Sequence, residues 1–127
     1  MKREILISII ILILIICLDI KSNNYTKNTV NIVTVQMEEL RNEIKQKNSQ
    51  VIEKKIKEIN DTWKEKSYVL SYYIEHDELE KVETEISILN GCVLEEMYDK
   101  CFENIDKIKY ILSHIENKEK LNGKSIF

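Results

Sequence analysis

The reactive side chains in this 127-residue chain are few: two histidines, three cysteines and a loose aromatic cluster. If the last two amphipathic segments form a hairpin turning near residue 95, His76 and His114 stand equidistant from the turn. They would then face each other, with Glu78, Glu80 and Glu83 close by. Two imidazoles and a carboxylate suit a transition metal, and His76, His114 and Glu78 are the set such a site would need. Against it, no tight His-x-x-x-His spacing is present, and the ligands would sit on different helices at a hairpin's open end. The simpler reading has each imidazole capping a helix end or bonding a backbone carbonyl. Neither a metal nor a cofactor is therefore expected.

Cys92 and Cys101 are nearly symmetric about the same turn. A disulfide joins them if their Cα atoms come within about 4.4–6.8 Å in a compartment that oxidises thiols. The preferred reading makes both small buried hydrophobes. Trp63, Tyr68, Tyr72 and Tyr73 gather around the end of the second amphipathic segment. Aromatics anchor interfaces, so these four are a candidate partner surface; a core Trp rimmed by tyrosines is the plainer alternative. Catalysis needs a nucleophile beside a base, or two carboxylates with separated pKa values. The sequence shows no Gly-rich phosphate loop, Ser/His/Asp pattern or nucleophile elbow. It does not read as an enzyme.

The stretch that decides where any of this happens is Ile5 to Leu18, aliphatic or Cys throughout except Ser8. At about 1.5 Å per residue, Ile5 to Ile20 covers roughly 24 Å, against a hydrocarbon layer of roughly 30 Å. Lys2 and Arg3 can snorkel at one end while the bilayer thins. The chain has no Ala, and Ile16-Cys17-Leu18-Asp19 offers neither a signal-peptidase site nor the small residue that precedes a lipidated Cys. The run is therefore read as an uncleaved single-pass anchor over residues 1–20. Lys2 and Arg3 favour a cytoplasmic N-terminus, which places the rest outside. Lys21 to Thr26 reads as a short polar tether, and 27–127 as the extracytoplasmic domain.

Beyond the tether the apolar spacing is helical. Val30, Val33, Met37, Leu40 and Ile44 form one stripe, and Ile52, Ile56, Ile59, Trp63, Leu70 and Ile74 a second. The phase jumps at Asn48-Ser49, which predicts a turn with Ser49 as N-cap. Asp77 followed by Glu80 predicts a capping-box start for a third helix carrying Leu79, Val82, Ile86, Leu89 and Val93. Gly91 and the acidic residues after it place another turn between 93 and 98. The fourth stripe is Cys101, Ile105, Ile108, Leu112 and Ile115. The fold class is thus all-α: an anchor helix, then an antiparallel bundle of about four amphipathic helices. TPR-like hairpins and a rod that packs only as a dimer are the rivals. Ile126-Phe127 is expected to fold back onto the bundle, since an apolar end is otherwise exposed.

Pro is absent and Gly occurs twice, as suits long helices. Lys2 and Arg3 cancel Glu4 and Asp19, so the net charge of −3 belongs to the remainder. A mildly acidic, mixed surface argues against nucleic acid, which needs a basic patch, and against a second contact with anionic lipid.

Trp63, then Ile74-Glu75-His76-Asp77-Glu78-Leu79 and Val82-Glu83, resemble the central pattern of the bacterial family DUF4363. Leu112-Ser113-His114-Ile115 and the closing Ser125-Ile126-Phe127 do so as well, all behind a short apolar anchor. Gly91-Cys92 is a departure from that pattern. The resemblance implies a small anchored helical protein of low-GC Gram-positive bacteria, and it implies no reaction. The expected role is a membrane-anchored interaction module, accessory to another envelope or membrane protein. An envelope sensor of metal or small ligand through His76 and His114, and a homo-oligomeric coiled-coil spacer, are the alternatives.

Overall fold

The computed structural model describes the backbone of residues 1–126 and the side chains of residues 1–121. It contains helices α1 (Lys2–Gln46), α2 (Ser49–Leu70), α3 (His76–Leu94) and α4 (Tyr98–Ile126), and no strand among the described residues. Successive helices are antiparallel. Packing joins α1 to α2, α2 to α3, α3 to α4 and α4 back to α1. That ring closes on itself within one chain. It is neither an open stack of TPR-like hairpins nor a rod awaiting a second copy.

The four stripes meet in one core. Val33, Met37, Leu40 and Ile44 of α1 lie against Ile52, Ile59, Trp63 and Leu70 of α2 and the inward faces of α3 and α4. Each such side chain removed from water stabilises the fold by about 1.5–3 kcal/mol. Ile56, Ile74 and Val93, also in the stripes, are only partly buried at the edge.

The clearest departure from the sequence reading is in α1, which is unbroken from Lys2 to Gln46. Lys21 to Thr26, read as a tether, is helical. The reason lies on its inner face, where Thr26 and Thr29 are buried in line with Val30 and Val33. The Thr26 hydroxyl lies 2.9 Å from that of Tyr73, which also donates to the Ser22 carbonyl at 3.1 Å. The stripe therefore continues below Val30 in polar residues, Thr26 paired by Tyr73 and Thr29 buried without a hydrogen-bond partner for its hydroxyl.

The helix ends also shift. Asn48, not Ser49, caps α2, its side chain accepting from the Val51 N–H at 3.5 Å. Asp77 lies inside the first turn of α3, whose N-cap is Glu75 with no side-chain cap bond. There the acidic first turn, Asp77 and Glu78, stabilises through the helix dipole. Gly91 is an ordinary helical residue, and the turn at 93–98 is made by Glu96 at φ 55°. The Glu96 N–H donates to the Val93 carbonyl and the Met97 N–H to that of Cys92, a Schellman stop.

A left-handed Glu is strained where Gly is not. Glu96→Gly is expected to raise stability by about 1 kcal/mol, read as a shift in the denaturant midpoint at unchanged slope.

Polar pairs fix the register. Asn60 and Asn90 exchange amide hydrogen bonds of 3.1 Å across α2 and α3. Asn104 donates to Glu85 at 2.9 Å and accepts from the Cys92 thiol at 3.6 Å, joining α3 to α4. Arg41 with Asp106, and Lys109 with Glu38, tie α1 to α4.

Candidate functional site

The apolar run of α1 projects clear of the bundle. Its most apolar 18 residues have a mean hydropathy of 2.7 and none is buried, so this helix is long and apolar enough to cross a membrane. Because α1 is continuous, the end of the run at Ile20 is rigidly joined to the base of the bundle.

That base is built from four chain segments. α2 ends there, and the 71–75 turn carries Tyr73 onto Ser22 and Thr26. Burial raises the Tyr73 phenol above its ordinary pKa, with the Thr26 hydrogen bond acting the other way. On α4, Glu119 sits beside Asp19 and Ser22; burial, then the Asp19 charge, raises its carboxyl above the usual range. A carboxyl with a raised folded pKa binds its proton more tightly folded than unfolded. Stability is then lost as pH rises through the window between the ordinary carboxylate value and the raised one. Glu119→Gln is expected to flatten that loss, measured as melting temperature at pH 4 and pH 7.

Trp63, Tyr68, Tyr72 and Tyr73 do not form one surface. Trp63 is in the core, 4% exposed, and Tyr73 is tied into the base. Tyr68 and Tyr72 alone face outward, 67% and 74% exposed, as an edge-to-face pair with ring centroids 5.7 Å apart. Their hydroxyls are 3.2 Å apart.

His76 and His114 are both on the surface and are not brought together into a ligand set. His76 lies 3.8 Å from Glu80. Opposite the start of α3 stands Lys118, 3.7 Å from both Glu75 and Glu78. The hairpin's pairs (Glu78 with Lys118, Cys92 with Asn104) centre on Tyr98 rather than 95, so Lys120 and not His114 stands level with His76, and His114 lies about 9 Å further along α4. Glu78 is the buried carboxylate here, 9% exposed, with Oε1 toward Lys81 and Lys118 and no hydrogen-bond partner for Oε2. Among the described residues, no group of three or more His, Cys, Asp or Glu side chains is gathered to hold a metal.

Cys92 and Cys101 are both free thiols within the core. Burial, and then the neighbouring Cys92, push the Cys101 thiol up to about 11. It is protonated at neutral pH, which is the condition of a packing residue. Ile126-Phe127 lies outside the described side chains.

The depressions flanking Glu78 are a cleft of about 100 Å³ against Tyr73, Ile115 and Lys118, and an open one of about 670 Å³ between α3 and α4. The first is below the roughly 300 Å³ of an ordinary ligand pocket. The second is walled mainly by solvated charges such as Asp77, Glu80 and Lys81.

These features define a class: an all-helical bundle borne on a continuous N-terminal apolar helix, with its outward aromatic pair at the end nearest that helix. Within it, the chain belongs to the DUF4363 family, described as a domain of unknown function, whose model matches residues 20–126. The match begins where the apolar run ends, so it is the bundle that carries the family pattern. No curated protein and no solved structure matches the chain.

Proposed function

We propose that this protein is a membrane-anchored, extracytoplasmic interaction module that serves as an accessory subunit of another envelope or membrane protein. One observation carries the reading: a 45-residue helix whose first part is apolar and unburied and whose second part is built into a closed bundle. Such a helix converts a membrane span directly into a rigid support. Lys2 and Arg3 before the run favour retention of the N-terminus in the cytoplasm, with the bundle outside. The residues described above offer a scaffold's surfaces, with no assembled constellation for group transfer.

The surface for a protein partner is the tip farthest from the anchor. Leu94 is 80% exposed and Met97 44%, beside a cleft of about 180 Å³ lined by Ile52, Ile56, Val93 and Tyr98. Exposed apolar groups around a cleft are where partners seat.

Crosslinking of the tagged protein in its native membrane, followed by mild-detergent purification and mass spectrometry, tests the proposal. One stoichiometric membrane partner, lost in Leu94→Glu, is expected. Self-crosslinks alone would replace this reading with a homo-oligomeric spacer.

A further inference from the structure

We infer that the base of the bundle seats on the headgroup layer of the membrane, with Tyr68 and Tyr72 as its interfacial contacts. The inference rests on the anchor proposed above and goes beyond it, since a span alone would allow the bundle to stand clear of the lipid.

Three observations lead there. The first is height. Tyr73, next to Tyr72 in the turn, bonds Ser22 and Thr26 of α1, residues about 3–9 Å along the helix from Ile20. An interfacial layer occupies roughly the next 5–7 Å beyond the hydrocarbon, so Tyr72 falls within it. The second is length. The apolar run covers about 24 Å of a layer of about 30 Å, and a span that is too short draws its flanking residues toward the bilayer. With no flexible joint in α1, what is drawn in is the bundle itself.

The third is the second helix. α4 reaches the level of Asp19 and Ser22, just outside the apolar run, at Glu119. Two helices thus reach the interface, and the end of α2 with the turn after it presents an exposed pair of tyrosines, amphipathic rings of the kind enriched at headgroup level. Val69 beside them is 37% exposed. Charges at the base are mixed (Asp19, Lys21, Lys66, Glu75, Lys118, Glu119), so a zwitterionic surface suffices.

The test uses the full chain in phosphatidylcholine vesicles containing lipids brominated either near the headgroup or deep in the acyl chain. Variants Tyr72→Trp, Tyr68→Trp, Leu12→Trp and Tyr110→Trp are compared, with the core residue Trp63 as common background. Tyr110 is exposed on α4, in the half of the bundle away from the anchor. Shallow bromines are expected to quench Tyr72→Trp at least about threefold more than Tyr110→Trp, with Tyr68→Trp between them, as depth dictates. Deep bromines are expected to quench Leu12→Trp. If Leu12→Trp is quenched while Tyr72→Trp and Tyr68→Trp match Tyr110→Trp, the seating is overturned and the anchor stands. An unquenched Leu12→Trp overturns both.

Discussion

Trp63→Ala is expected to lower the stability of the bundle by about 3–5 kcal/mol, the range for emptying a large aromatic from a packed core. Trp63 is 4% exposed in the middle of α2, among side chains from helices distant in sequence. Neighbours relax only partly around such a hole, so lost transfer energy and the cavity both count. A domain of this size has about 5–15 kcal/mol in all, so the variant forfeits a large share of the total. Tyr72→Ala removes an aromatic from the turn after α2, on the exposed side, and a change within about 0.5 kcal/mol is expected. Guanidinium unfolding of the full chain in mild detergent, followed by circular dichroism, separates the two. Equal losses would mean that the four aromatics act as one cluster, contrary to the packing described.

Leu12→Arg has a comparable effect on a different property. Leu12 lies near the middle of Ile5 to Ile20 and touches none of the core. An Arg at the centre of a span costs about 2.5–3.5 kcal/mol on insertion, a shift on the order of 100-fold in the partition between membrane and water. The variant is expected in the soluble fraction of cells with the bundle intact, its denaturation midpoint unchanged. If it sedimented with membranes as fully as the parent chain, the apolar run would not be what holds the protein there.

The two variants separate what was legible in the sequence from what was not. The stripes Val33-Met37-Leu40-Ile44 and Ile105-Ile108-Leu112-Ile115 could be read directly, because apolar residues at spacings of three and four have one helical explanation. The continuity of α1 could not. Ser22, Thr26 and Thr29 are poor helix formers in isolation, and the hydroxyl of Tyr73, 47 residues beyond Thr26, is what pairs Thr26 and the Ser22 carbonyl, though not Thr29. Their spacing from Val30 and Val33 does extend the stripe, and that was the available signal. The turn lies within the 93–98 window, and its agent is Glu96 rather than Gly91. A left-handed Glu has no sequence signature, and the shift of the hairpin's centre to Tyr98 carries His114 about 9 Å along α4 from the level of His76. Aromatic residue type suggested one surface from Trp63 to Tyr73, whereas helical phase divides it: Trp63 and Leu70 point inward, Tyr68 and Tyr72 outward. The amide pair Asn60–Asn90 needed the α2/α3 register, which no local pattern supplies.

A rigid helix shared between lipid and bundle is the feature on which the proposed role depends. Its most direct measurement is protease access in intact spheroplasts, using a C-terminal tag, after alkaline carbonate washing has shown how the chain is held. The chain is expected to stay in the carbonate-washed membrane pellet, and protease added outside is expected to remove the tag. Release by carbonate, or a tag protected until the membrane is broken, would contradict it.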